Sequence, residues 1–294
     1  MNLNRAIAHN TIIQLGGKVV NTLLGLVAVA LMTRSLGAEQ FGWYITASGF
    51  LQFVGIFCDF GFALATAYLL AQPQWQEKDV MDTLFTWRFV SAIVFHGLAP
   101  LIFFLLPYPP SIKYATAILS LSFLGAAMSQ VFIGYYRAKL NLLAVTIAEC
   151  ISRVALVVGI FFFAAQPHAF IAMMLVVTGA SLLNVLYLWY SYGPIHWQTN
   201  HAISRAAFLV MWPTALSIIF NSVYWLGDRL LLPLFVDQAQ VGMYGAAYRV
   251  LDIAIQVAAI VMGILMPLVA FAWARGQKRS EERRVGKECL RLCR

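Results

Sequence analysis

The sequence predicts an all-α polytopic membrane protein of about eight transmembrane helices, and three observations predict it. The first is composition. The 294 residues are 61% hydrophobic and only 11% charged, with a mean hydropathy of +0.78. A soluble domain is about 45–50% apolar and about 25% charged, so the excess here belongs against lipid and between packed helices. The second is the recurrence of apolar stretches of about 20 residues, the length that crosses a bilayer. The third is an internal repeat. Asn21, Leu26, Leu31, Gln40, Gly42, Tyr44 and Ala47 align without a gap with Asn221, Leu226, Leu231, Gln240, Gly242, Tyr244 and Ala247. In both copies a Gln-x-Gly-x-Tyr element follows a long apolar helix. Repeated halves are common in secondary transporters, with the substrate site between them.

The spans are expected at 9–35, 41–70, 83–107, 113–137, 142–165, 168–192, 204–234 and 240–273. Met1–Asn10 is polar and the helix after it is too long for a signal h-region, so the first span reads as a retained signal-anchor. Asp59-Phe60-Gly61 is expected to break the second span. Pro100, Pro213 and Pro267 each remove a helical hydrogen bond and bend their helices, as packing kinks or as hinges. The connections Gln72–Asp82 and Gly193–Ser204 are too short to fold as a catalytic domain. An even number of spans separates the two copies of the repeat, so they share an orientation and are related by an axis along the membrane normal.

Charge sets the topology. With eight spans, Arg5, Lys78, Arg137, Lys139, Arg205, Arg275 and Lys278 fall on one side, and Arg34 and Lys113 on the other. The positive-inside rule then places both termini in the cytoplasm. Arg279–Cys289 looks like the in-frame translation of a common sequencing adapter. Residues 279–294 are therefore expected to be a non-native tail, leaving 1–193 as a six-helix lobe and 194–278 as the start of a second lobe. Cys58 and Cys150 read as buried thiols rather than a disulfide or metal pair. No HExxH, P-loop, GxSxG or metal-spaced Cys/His cluster occurs. No enzymatic activity, cofactor, metal or nucleic-acid partner is expected.

The run NTIIQLGGKVVNTLLGLVAVALMTRSLGAEQFGWY, with Arg34–Tyr44 its most specific part, resembles the opening of the oligosaccharide flippases, the Wzx-type polysaccharide transporters of the MATE-like superfamily. Asp59-Phe60-Gly61 and Asp228-Arg229 also match the habit of that family. The resemblance implies two six-helix lobes facing a central cavity, of which this chain would hold the first lobe and two helices of the second. It implies translocation of a polyprenyl-diphosphate-linked oligosaccharide across a bacterial or archaeal inner membrane, by lobes that rock between two openings. A polysaccharide polymerase is a possible partner. The competing readings are a cation-coupled multidrug or lipid II exporter of the same superfamily, and a membrane polymerase or glycosyltransferase.

A diphosphate leaving water needs cations around it. The intramembrane candidates are Lys18, Arg88, Arg153, Arg229 and Arg249, arginine being the better fit to phosphate oxygens. Lys18 has no acidic neighbour within a turn. Arg88 could instead snorkel to the cytoplasmic edge of its span. Arg153 stands four residues after Glu149, so an i,i+4 ion pair competes with a binding role; Arg229 adjoins Asp228, and Arg249 precedes Asp252. Asp59, Glu149 and Asp228 are candidates for a coupling ion, although Asp59 could equally cap the helix resuming after Gly61. Asn21 and Asn221 could meet sugar hydroxyls or bridge helices. His96 reads as a packing residue.

Overall fold

The computed structural model describes residues 3–139, 141–164, 166, 169–252, 254 and 255, with backbone alone for 3–15 and 214. The described residues form α1 (Leu3–Asp59), α2 (Phe62–Leu70), α3 (Glu77–Phe104), α4 (Pro110–Ala138), α5 (Leu143–Phe163), α6 (Ala169–Tyr192), α7 (His201–Leu231) and a short 3-10 turn, Leu232–Leu234. A further helical run covers 238–252. The protein is an all-helical polytopic membrane protein. By contact the chain divides into Met1–Tyr248 and Arg249–Arg294; everything below concerns the first unit, except where Arg249 and Asp252 are named. The expected tail 279–294, Arg275, Lys278 and Pro267 lie outside the described residues.

Five helical stretches among the described residues are long and apolar enough to cross a membrane, and the α7 region adds a sixth, bent by 43° beside Pro213. The first of them, Gly16–Leu70, is 55 residues long. At 1.5 Å per residue it would reach about 80 Å, far more than a bilayer of about 30 Å. It is two passages. Gly37 breaks it at φ 69° and ψ 179°, a conformation only glycine adopts cheaply.

Side-chain contacts fix the directions. Positions 17, 21 and 25 of α1 meet 146, 149 and 153 of α5, a parallel register. Positions 50, 55 and 59 meet 103, 96 and 88 of α3, an antiparallel register. Helices α3 and α4 are antiparallel through 88/127 and 96/123. Helices α4 and α6 are parallel through 118/178, 122/181, 129/184 and 136/191, and α5 meets α6 at 159/176. The two limbs of α1 therefore run in opposite directions, and the chain turns back at Gly37. One end of the bundle carries the start of α3, the α4–α5 turn and residues 193–200. The other carries Gly37 and the α3–α4 turn. Lys78, Arg137, Lys139 and Arg205 stand at the first end, Arg34 and Lys113 at the second.

The buried apolar side chains form one cluster toward each end. Leu69, Met81, Leu84, Val131 and Phe132 are central to the first; Leu51, Phe103, Ile112, Leu119 and Met174 are central to the second. Along the first limb Ala28, Met32 and Leu36 recur at i, i+4, i+8, the stripe a helix turns toward its neighbours. Cys58 is buried and Cys150 half-buried, and both are free thiols.

The repeat becomes a physical contact at the second end. A Cβ on Gly42 would lie 1.7 Å from the Gln238 carbonyl oxygen and 3.1 Å from the Gly242 nitrogen. A Cβ on Gly242 would lie 2.0 Å from the Ala38 carbonyl oxygen and 2.9 Å from the Gly42 nitrogen. The contacts are reciprocal under the 200-residue offset, as a local twofold axis requires. Main chain meets main chain here, and both positions exclude any side chain. Beside them Thr46 Oγ1 donates to Gln238 Oε1 at 2.8 Å.

Candidate functional site

Two polar places in the apolar bundle, the first buried and the second on a flank where Lys18, Glu149 and Arg153 are exposed, hold most of the residues singled out above. The first is the break after α1. Phe60 (φ 36°) and Gly61 (φ 81°) end α1 and let α2 start in a new direction, as the Asp59-Phe60-Gly61 signal predicts. Such a break leaves carbonyls at the end of α1 without helical partners, and the end carries partial negative charge. Arg88 of α3 answers both. Its Nη1 donates to the Cys58 carbonyl, its Nε to the Ala127 carbonyl at 2.9 Å, and its Nη2 to Asp59 Oδ1 at 3.2 Å. The guanidinium also lies 4.9 Å from the centre of the Phe62 ring.

Arg88 is only 2% exposed. It neither snorkels to an edge nor offers a free face: each of its nitrogens has a protein acceptor. The helix α2 begins with no side-chain cap, so Asp59 acts as the partner of Arg88 rather than as the cap considered from sequence. His96, two turns along α3, is buried against Phe123. Neither of its ring nitrogens has a hydrogen-bond partner among the described residues.

The second place is the seam of α1 and α5. Asn21, 8% exposed, donates from Nδ2 to Glu149 Oε2 at 2.9 Å. The bond bridges helices, one of the two readings open for Asn21 from sequence; the other, sugar contact, stays open. Arg153 lies across Gly25, with Nη1 3.9 Å from where a Cβ would stand there. Lys18 is exposed one turn below Asn21 on the same flank of α1. Among the described residues neither Lys18 nor Arg153 has an acidic partner within 4.0 Å. The Glu149–Arg153 pair suggested by their spacing is not formed. Gly25 stands about 18 Å along the helix from the turn at Gly37, which puts Arg153 near the middle of a bilayer about 30 Å thick.

The remaining candidates lie elsewhere. Asp228 accepts from the Tyr244 hydroxyl and, at 2.8 Å, from the Arg229 backbone N–H. The Arg229 guanidinium stacks 4.4 Å from the centre of the Tyr248 ring. Arg249 pairs with Asp252 at 3.9 Å, a turn apart on one helix. Asn221 is exposed, unlike its repeat mate Asn21. Arg88 and Asp59 meet at the break, and Lys18, Asn21, Glu149 and Arg153 share the α1–α5 seam. Among the described residues no group of three or more His, Cys, Asp or Glu side chains could hold a metal ion.

Sequence reasoning missed how residues 193–200 are fastened. Asp82, 1% exposed at the start of α3, accepts the His196 backbone N–H at 3.0 Å, and its other oxygen is 3.6 Å from His196 Nδ1. Asp79 accepts from Gln198, Thr83 from the Asn200 backbone, and Trp197 packs on Phe85 and Phe89. The available signal was Asp79, Asp82 and Thr83 sharing one face of a first helical turn.

The fold and the seam define a multi-helix membrane protein with two exposed cations, Lys18 and Arg153, that have no acidic partner within 4.0 Å among the described residues. The chain belongs to the polysaccharide biosynthesis protein family, whose model matches residues 7–273. No match was found among curated proteins or among solved structures.

Proposed function

We propose that this protein moves a polyprenyl-diphosphate-linked oligosaccharide from one leaflet of the plasma membrane to the other, its two lobes rocking about a central cavity. Arg153 and Lys18 meet the diphosphate. One observation carries the reading: among the described residues Arg153 has no acidic partner within 4.0 Å, although Glu149 stands one turn away on its own helix. A lone cation at the bilayer centre costs roughly 3 kcal/mol or more, and such residues commonly mark a substrate path. An anionic cargo would offset that cost, and arginine would grip phosphate oxygens bidentately. Membership of a polysaccharide biosynthesis family supports a glycan on the other side of the diphosphate. Both termini would then be cytoplasmic, with a polysaccharide polymerase receiving the product.

The test is complementation of surface-polysaccharide export in a strain lacking its flippase. The intact gene restores export, and Arg153→Gln and Lys18→Ala each reduce it at equal protein level. Failure across a range of glycan pathways overturns the assignment, and full activity of Arg153→Gln removes the binding site.

A further inference from the structure

Glutamate and arginine four residues apart on a helix ordinarily pair, and at membrane depth both gain by doing so. Here Glu149 and Arg153 do not. The Glu149 carboxylate is drawn instead to Asn21 Nδ2, 2.9 Å away on α1, and Arg153 lies along Gly25. Asn21 is held by its surroundings: it is 8% exposed, at the head of the stripe that continues through Ala28, Met32 and Leu36. Its other amide atom, Oδ1, is buried and has no partner among the described residues. A buried acceptor left open costs about 1–3 kcal/mol, so this arrangement persists against a local penalty.

We infer that Asn21 is a positioning residue that holds the Glu149 carboxylate off Arg153 and so keeps the cations of the α1–α5 seam open to an anion. Glu149 is the built-in competitor of that anion. The seam carries two positive groups, Lys18 and Arg153, and one negative group. Captured by Arg153, the carboxylate would occupy the arginine's donors; tied to Asn21, it leaves them open, the net charge of the three groups being the same in both arrangements. The unsatisfied Oδ1 beside it suits a hydroxyl or water donor arriving with the ligand. The inference deepens the proposed function and rests on it for the identity of the anion, but the positioning role can be read without any ligand.

The cargo-free test is thermal unfolding of the detergent-solubilised protein as a set of linked cycles. In the native background Glu149→Gln and Arg153→Gln are expected to add independently. In the Asn21→Ala background a Glu149–Arg153 coupling appears, because the carboxylate swings to the arginine, and the combined Tm shift departs from additivity by about 2 °C. Additivity in both backgrounds overturns the inference, as does coupling already present in the native one. Asn21→Leu, which keeps the volume, replaces the alanine variant if the latter fails to fold.

The ligand test uses farnesyl diphosphate as the probe. Asn21→Ala weakens binding about tenfold, and adding Glu149→Gln to it restores native affinity. A double variant as weak as Asn21→Ala overturns the inference, since a packing role would not be rescued. Absence of binding by the native protein alongside a coupling that appears on Asn21→Ala would sink the diphosphate reading while leaving the positioning role intact.

Discussion

Arg88 and Arg153 are both cations within apolar helices of one bundle, and the chain treats them in opposite ways. Arg88 faces a helix break, where loose carbonyls and Asp59 take up its donors, with Phe62 beneath the guanidinium. Arg153 faces an unbroken helix whose carbonyls are already bonded. Its nearest acid is held by Asn21. A cation beside a break is structural because the break supplies acceptors. A cation beside a continuous helix keeps its donors for something else. The useful question about an intramembrane arginine is therefore what its neighbouring backbone has left unbonded.

The largest expected effect tests the first half of that contrast. Arg88→Ala leaves the Cys58 and Ala127 carbonyls and Asp59 without their donor and should cost about 3 kcal/mol, chiefly from two buried acceptors left open at about 1–3 kcal/mol each. It should be read as a fall in Tm and loss of protein from the membrane. Asp82→Ala comes next, at about 1–2 kcal/mol, with faster amide hydrogen exchange over residues 193–200 as its marker. Asp59→Asn should cost about 1 kcal/mol, because the Asp59 side chain is 40% exposed and its charge is partly screened. Arg153→Gln should cost no stability at all, since it removes a cation with no acidic partner among the described residues, while export falls. A stability loss there as large as that of Arg88→Ala would erase the distinction between the two arginines.

Much of the architecture was legible in the residues, and the reason differs by element. Long apolar runs reveal helices because lipid leaves the backbone no other way to satisfy itself. Asp59-Phe60-Gly61 revealed the break because Gly61 takes a positive φ. The repeat could be read because its Gln, Gly and Tyr are uncommon filler in apolar sequence. The eighth expected span, 240–273, lies mostly beyond the described residues, and the helical run at 238–252 is its start.

Which arginine was structural could not be read locally. The partners of Arg88 come from 29 to 39 residues away. The fate of Arg153 was decided by Asn21, 128 positions before Glu149. Spacing along one helix pointed to a pair that a neighbouring helix prevents. The Asp82–His196 fastening was hidden for the same reason, being made across 114 positions.

The reciprocal approach of Gly42 and Gly242 also has a hereditary side. A methyl group at either glycine would fall on a main-chain carbonyl of the other copy, that of Gln238 or of Ala38, so neither position can drift whatever residue its mate becomes. Each codon is thus held to glycine by the path of the backbone opposite it, a constraint that should outlast the decay of resemblance elsewhere between the halves.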